Sequence, residues 1–306
     1  MPCYHPIVAY QHKFLHSKNG KHLIDFKGGS VREWDEITLP CGRCIGCRLE
    51  RSRQWAVRCV HEAEYHDANC FITLTFDDQH LDPNGSLNKR DFVLFMKSLR
   101  KKVFQRYGCL IRFFHCGEYG ELHQRPHHHA IIFGFDFPDK KLFSYNDGFP
   151  LYRSELLESC WSYGFASVAG FSFESAAYVA RYVLKKVNGD DADEYYKGRL
   201  PEYVTMSRMP GIGYQWLQDH PEIYNYDEVV YSNFKGKIIH AKPPRYYDKI
   251  FDSIAPDYME FVKNKRKIKA INNSEKNRIP NRLEQLEEFK RIQIKKLKRK
   301  YESSDV

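Results

Sequence analysis

Apolar positions in this chain follow two periods, and the change from one to the other marks its elements. "CRLERSRQWAVRCVHEAEYH" repeats every three or four residues through Leu49, Trp55, Val57, Cys59, Val60 and Ala63, which predicts a helix. "CFITLTFDD" alternates, with Ile72, Leu74 and Phe76 on one face of a strand and Phe71, Thr73 and Thr75 on the other. Asn88 is a suitable cap for a second helix, in which Phe92, Phe95, Met96, Leu99 and Val103 form a stripe that ends near Gly108. "LIRFFHCGEYG" and "RPHHHAIIFG" are two strands joined through "ELHQ" as a hairpin. "RSELLESCWSYG" reads as a short helix and "FASVAGF" as a strand. "SFESAAYVARYVLKKVNG" is a helix with Ser172 at its start and Gly189 past its end. From residue 70 the order is βαββαβ and then a helix, the split βαβ, ferredoxin-like arrangement of the α+β class: an antiparallel sheet with helices packed on it. Residues 1 to 48 read as irregular. Beyond residue 190 the pattern weakens until "PNRLEQLEEFKRIQIKKLKRKY", which is again helical.

The hairpin carries chemistry. Alternation places His127 and His129 on one face and His128 on the other. If the turn centres between Leu122 and His123, Glu118 lies opposite His127 and Cys116 opposite His129, and opposed residues share a face. Two imidazoles and one carboxylate would then converge as a partial shell for a divalent cation, with positions open to water or substrate. Glu121 is the alternative ligand if the pairing slips by a step. Packed or surface histidines in a strand would show the same spacing.

On the helix after the last strand, Tyr178 and Tyr182 are four residues apart and Lys185 follows three later, so all three share a face. Ala176, Ala180, Val183 and Val187 form the opposite one. A phenol can attack phosphorus to give a covalent phosphotyrosine. Because a free phenol has a pKa near ~10, it needs a cation and a polarised substrate; Lys185 and the ion on the histidine face could supply these. Two phenols about 6 Å apart along a helix could reach one phosphate in turn. A purely structural pair with buried rings and wet hydroxyls has the same pattern.

Composition narrows the partners. No apolar run is long enough to span a membrane, and "MPCYHPIVAYQHKF" lacks the apolar core of a secretory signal, so the expected setting is a cytoplasm. Of the net charge of +9, residues 263 to 300 contribute 15 basic against 4 acidic residues, which leaves the remainder slightly negative. A basic tail of this kind suits an anionic polymer such as nucleic acid. The nine cysteines, in a chain without an export signal, point to metal ligation or burial rather than disulfides. "CGRCIGC" sets Cys41, Cys44 and Cys47 with two residues between each, and Cys3 is the candidate fourth ligand of a closed structural Zn²⁺ site, with His5 as its substitute. An iron–sulfur cluster or a reduced, unliganded group would use the same spacing. Cys59, Cys70, Cys109, Cys116 and Cys160 fall in apolar patterns and are expected to be buried. "SRMPGIGYQW" offers Arg208 and Trp216 for gripping single-stranded DNA by charge and stacking, or forms a tight turn.

"FITLTFDD", "RPHHHAIIFG" and "YVARYVLKK", in that order, resemble the three motifs of the two-tyrosine His-hydrophobic-His (HUH) endonucleases that initiate rolling-circle replication. "MPCYHP", "PCGRCIGCR", "FHCGEYGELHQRPHHHAIIFG" and "SRMPGIGYQW" narrow the resemblance to the replication initiation proteins of gokushovirus-type microviruses, most densely over residues 38 to 216. The resemblance implies an HUH-type sheet with His127, His129 and Glu118 holding Mg²⁺ or Mn²⁺, and Tyr178 and Tyr182 as nucleophiles. His128 departs from the hydrophobic or aromatic residue usual between the paired histidines. The implied reaction nicks the double-stranded origin, joins a tyrosine to the 5′ phosphate, leaves a 3′-OH for the host DNA polymerase and later closes a single-stranded circle. No G-x-x-x-x-G-K-[ST] loop is present, so a host helicase would unwind the DNA. On this reading residues 1–68 form the cysteine-rich zinc segment and its helix, 69–190 the endonuclease core, 191–260 an extension with a DNA-contacting loop, and 261–306 the basic tail. The host bacterial cytoplasm is the implied setting. A plasmid initiator, a relaxase or a transposase would share the catalytic motifs, and a noncatalytic zinc-containing nucleic-acid-binding protein would share the cysteines and the charge.

Overall fold

A computed structural model describes residues 3–18, 22–28, 32–120, 123–146, 148–182, 192–232, 236–274 and 281–295. The chain divides into two compact units, one drawn from Met1–Arg51 and Ile268–Lys298, the other spanning Ser52–Lys267. The first begins with strands β1 (Ile7–His16), β2 (His22–Asp25) and β3 (Trp34–Leu39), which form an antiparallel sheet in the order β2-β1-β3. This corrects the irregular reading of residues 1 to 48. Apolar Ile7, Val8, Phe14, Leu15 and Ile24 stay exposed there, so no buried face imposes the clean alternation that makes a strand visible in sequence.

Helix α1 (Ile45–Ala63) leads into strand β4 (Asn69–Thr75), helix α2 (Lys89–Tyr107) and the hairpin of β5 (Arg112–Tyr119) and β6 (Pro126–Phe133). A second hairpin, β7 (Lys141–Asn146) and β8 (Phe149–Arg153), precedes helix α3 (Glu155–Glu158), strand β9 (Ala166–Gly170) and helix α4 (Phe173–Tyr182). Helix α5 (Ala192–Tyr196) and strand β10 (Tyr203–Met206) follow. The large antiparallel sheet has seven strands in the order β10-β5-β6-β4-β9-β8-β7. Its four central strands are β5, β6, β4 and β9 in that order, with β5 and β6 adjacent as the hairpin predicts. The β7–β8 hairpin at one edge and β10 at the other are additions that the sequence pattern did not reveal.

The Phe92, Phe95, Met96, Leu99 and Val103 stripe of α2 is buried as read, against Cys70, Ile72 and Leu74 of β4 and Ala130 and Ile132 of β6. Asn88 caps this helix by accepting from the Arg90 amide, and left-handed Gly108 ends it. The other face of the sheet carries Phe71, Phe114, Cys116, Ile131 and Phe133 and is covered by Ala56, Cys59 and Ala63 of α1 and Ala176, Val179 and Ala180 of α4. Because helices cover both faces, β6 is buried on both sides of its pleat. Ser172 and Ser175 cap α4 reciprocally: the Ser175 amide donates to Ser172 Oγ at 3.1 Å and the Ser172 amide to Ser175 Oγ at 2.8 Å. Cys59, Cys70, Cys116 and Cys160 are buried as expected, whereas Cys109 is half-buried.

Helices α6 (Tyr214–Asp219) and α7 (Ile223–Tyr226), strands β11 (Val229–Ser232) and β12 (Ile238–Ala241), and helix α8 (Arg245–Ile254) complete the larger unit's own cluster, which also takes in Met259 and Val262 of α9 (Pro256–Ser274). Trp216 belongs to this cluster. It is only 7% exposed, stacks on His61 and on His220, and donates its indole N–H to Glu64 Oε2 at 2.8 Å. The expectation of a DNA-stacking tryptophan is therefore corrected: the ring is part of the packing, with its polar atom satisfied inside the protein. Arg208 lies in the exposed turn before it.

His61 makes this cluster sensitive to acid. Burial, and secondarily the nearby His220, lowers its pKa from 6.5 to about 3, and its Nδ1 shares a 2.9 Å hydrogen bond with the Tyr247 hydroxyl. A histidine that stays neutral when folded favours the unfolded chain once the unfolded ring takes up a proton. Stability is thus complete above pH 6.5 and is lost as the pH falls from 6.5 toward 3. The slope from this one group is about 1.4 kcal/mol per pH unit. Thermal unfolding from pH 7 to pH 4 should show this decline, and His61→Gln should flatten it; equal slopes for the two proteins would refute the assignment.

The charged C-terminal segment is not a plain tail. Helix α10 (Arg282–Lys295) belongs to the smaller unit, where Glu287 accepts from His5 Nε2 at 2.6 Å and from Arg291 at 3.2 Å.

Candidate active site

The ladder between β5 and β6 pairs Glu118 with His127, Cys116 with His129 and Gly117 with His128. On the other side of β6, Thr73 of β4 pairs with His129 and Thr75 with His127. His127, His129, Glu118, Thr73 and Thr75 therefore share the sheet face that α1 and α4 cover. Glu118 and His129 are each 1% exposed, and His127 at the strand entrance is half-buried.

Each histidine is held by a different neighbour. His127 Nδ1 lies 2.7 Å from the Arg125 carbonyl oxygen. A carbonyl can only accept, so Nδ1 carries the proton and the lone pair of the neutral ring lies on Nε2. Gly120 makes room for this ring, since a Cβ there would stand 3.0 Å from His127 Cε1. His129 Nε2 and Glu118 Oε1 share a 2.9 Å hydrogen bond, and His129 Nδ1 and Thr73 Oγ1 share one of 3.0 Å. The His127 and His129 rings are nearly parallel, 7° apart, with centroids separated by 6.3 Å. The three side chains are thus gathered on one face without being drawn into a closed shell. Among the described residues, only the four cysteines below bring three or more ligand atoms within 4.8 Å of one another.

Tyr178 of α4 is packed against this group. Its ring stands edge-on to His129 at 5.3 Å and to Phe71 at 6.0 Å, and the residue is 2% exposed. Tyr178 on the hydroxylated face of α4 is thus buried, as are Ala176 and Ala180 on the aliphatic face. Tyr182 is the last residue of α4. Lys185 and Glu121 lie outside the described residues.

His128 points to the α2 face and meets a partner that sequence reasoning missed. Its Nδ1 and His115 Nε2 share a 3.1 Å hydrogen bond, and His115 stacks on Phe92 at 3.4 Å. Burial, aided by the neighbouring histidines, holds both rings well below the usual imidazole range. The signal was available, because the same hairpin pairing puts Gly117 opposite His128 and so leaves space for a second ring on that face.

Cys3, Cys41, Cys44 and Cys47 form one cluster in the smaller unit, with their sulfurs all within 4.8 Å of one another. Backbone amides support it: Tyr4 and Cys47 donate to Cys44 Sγ at 3.4 and 3.5 Å, Cys44 to Cys41 Sγ at 3.3 Å, and Cys41 to Cys3 Sγ at 3.2 Å. Burial opposes charge on Cys44, but those amides outweigh it and lower its pKa to about 6. Burial first, and then the neighbouring cysteines, pushes Cys47 up to about 12. One thiolate forms readily and a second is resisted, which is the electrostatic situation that a bound cation relieves. Of the two candidates for the fourth position, Cys3 supplies the sulfur, while His5 is engaged with Glu287.

Residues 69–187, which contain His127, His129, Glu118 and Tyr178, match the family of replication-associated protein ORF2/G2P. Similarity to individual members extends much further. The chain is 33% identical to replication-associated protein ORF2 of Spiroplasma virus 4 over 87% of its own length and 86% of that protein's. It is 34% identical to replication-associated protein VP4 of Bdellovibrio phage phiMH2K over 84% of its length and 80% of the relative's. Replication-associated protein ORF4 of Chlamydia phage 1 is 32% identical over 73% of this chain. The chain belongs to this family of phage replication-associated proteins, of the gokushovirus type to which its motifs pointed. No solved structure matches it. Among the described residues, no helix is long and apolar enough to cross a membrane.

Proposed function

We propose that this chain initiates rolling-circle replication of a circular phage genome by cutting and rejoining one DNA strand through tyrosine. The observation that carries the proposal is the meeting of Tyr178 with the His129–Glu118 pair on one buried face. The central strand order β5-β6-β4-β9, with α2 and α3 against one face, supports a ferredoxin-like core of the HUH kind.

His127, His129 and Glu118 would hold Mg²⁺ or Mn²⁺. Two imidazoles and a carboxylate are a suitable donor set, and the Arg125 carbonyl already fixes the His127 tautomer that directs Nε2 outward from its backbone anchor. Bound there, the ion would supply Lewis-acid polarisation of a phosphate oxygen. The tyrosine oxygen forms a bond to phosphorus, the bond from phosphorus to the 3′ oxygen breaks, and the phenolic proton is replaced by one on the released 3′-OH. Tyr178 and Tyr182, one helical turn apart, would take successive cleavages, with Lys185 lending positive charge. No nucleotide hydrolysis is needed, because the phosphotyrosine conserves the phosphodiester.

The cysteine cluster would hold one structural Zn²⁺ and fix the N-terminal unit. Arg208 and the basic residues of α9 and α10 would contact phosphates, giving salt-sensitive affinity. A host helicase and the host DNA polymerase would supply unwinding and synthesis, in the bacterial cytoplasm.

The test incubates the chain with Mg²⁺ or Mn²⁺ and single-stranded oligonucleotides tiled over the genome that encodes it. The expected result is a DNA–peptide adduct at Tyr178 or Tyr182 by mass spectrometry, absent after joint Tyr178→Phe and Tyr182→Phe substitution. Binding without any adduct, while a two-tyrosine nickase run in parallel gives one, would favour the noncatalytic DNA-binding protein.

A further inference from the structure

We propose that a cavity on the opposite face of the sheet from His127 receives one unstacked DNA base bearing an exocyclic amino group: adenine, cytosine or guanine rather than thymine. The proposal rests on the reading that the chain works on single-stranded DNA, and adds where and how that DNA is read.

The cavity lies where the chain leaves β4 and enters β6. Its volume is about 190 Å³. That is below the ~300–1,000 Å³ of pockets for drug-sized ligands and is suited to a single ring system. Phe76, Tyr163 and Pro126 form apolar walls, and Ser86, Asn88 and Asp91 offer polar atoms. Flat apolar walls with a few edge-directed polar groups are what recognition of a flipped or splayed base requires.

Charge selects the kind of group. Asp82 and Asp91 both line the cavity, the ring of the lining His80 is bonded to Asp77 at 2.8 Å, and no lysine or arginine lines it among the described residues. A phosphate would be repelled, whereas an amino group donates to carboxylate oxygens; thymine has no such group. A cation is the weaker fit, because these carboxylates are not joined by a third ligand within 4.8 Å.

The surroundings also hold buried polar atoms without partners. His128 follows Pro126 on the same strand face, stands edge-on to the Phe76 ring at 5.7 Å, and has an Nε2 with no hydrogen bond. Tyr203 packs across bare Gly117, where a Cβ would meet its ring at 2.8 Å, and its hydroxyl is likewise buried and unpaired. Neither residue lines the cavity; His128 stands behind its Phe76 wall.

Position links the cavity to the cleavage face. Arg125, Pro126 and His127 are consecutive, and Pro126 and His127 point to opposite faces. The Arg125 guanidinium donates to the Phe76 carbonyl at 2.9 Å and pairs with Asp78 at 2.6 Å, which fixes the cavity wall to the strand that carries His127. A DNA strand crossing this end of the sheet would leave one base in the cavity and a neighbouring phosphate by the histidines.

The test measures fluorescence polarisation of the full chain, without added Mg²⁺ or Mn²⁺, against labelled oligo-dA, oligo-dC and oligo-dT of about 12 nucleotides, within the range of single-strand site sizes. Oligo-dA and oligo-dC are expected to bind about tenfold more tightly than oligo-dT, the scale of a hydrogen bond to a charged group. Asp91→Asn and Tyr163→Leu, each checked for folding by circular dichroism, should cut that preference to under about threefold while oligo-dT affinity stays near wild type. Equal binding of the three oligomers by the wild type, or an undiminished preference in both variants, overturns the pocket while leaving the nicking reading intact. Failure to bind any oligomer overturns both.

Discussion

Alanine at either His127 or His129 should lower metal-dependent cleavage by about 100-fold or more, since even an outer-shell change at a metal site costs about 10–100-fold. The two variants should then part in stability. His127 is half-buried at the strand entrance, and after its removal the Arg125 carbonyl still accepts from the Gly120 amide at 2.9 Å. His129 is 1% exposed and hydrogen-bonded to Glu118, also 1% exposed, so His129→Ala leaves a buried carboxyl without that partner and opens space beside Phe71 and Tyr178. The cost should be about 3 kcal/mol, the scale for a broken buried pair. Cleavage assays and denaturant titrations on both variants check this. Loss of cleavage in both with loss of stability only in His129→Ala is the expected pattern; cleavage unchanged in His127→Ala would remove that residue from the proposed metal site.

The second large effect concerns the cysteines. Elemental analysis should find one zinc per chain, and Cys44→Ser should abolish it. In small zinc units the metal supplies about 10 kcal/mol or more of folding free energy. The unit holding β1, β2 and β3 exposes much apolar surface and has little core of its own to replace that contribution. A strong chelator should therefore remove hydrogen-exchange protection from β1, β2 and β3 while the seven-stranded sheet keeps its own. Full protection of β1–β3 after complete metal removal would show that the cluster is not needed for folding.

What could be read from sequence follows from how local the determinants are. The pairing of Glu118 with His127 was legible because a short hairpin leaves few registers and alternation fixes the faces. The α2 stripe and its caps were legible for the same reason. The sheet of β1–β3 was hidden because its apolar residues stay exposed and leave no clean alternation. The role of Trp216 was hidden because the turn around it gives no sign of His61, more than 150 positions earlier, and the apolar cluster it joins is assembled entirely by tertiary contacts. Burial of Tyr178 has the same origin: helical spacing gave its face, but only its packing against Phe71 and His129 shows how deeply the ring is buried.

Because β6 is paired on both edges and buried on both faces, its three consecutive histidines act as an odd–even code. Sliding the strand by one residue would carry His128 to the Glu118 face and send His127 and His129 toward His115 and Phe92. Sliding it by two would restore the parity. Length changes between residues 120 and 125 that are transmitted into the strand should therefore be tolerated only in even steps, so that the length of this connection decides which histidines face Glu118.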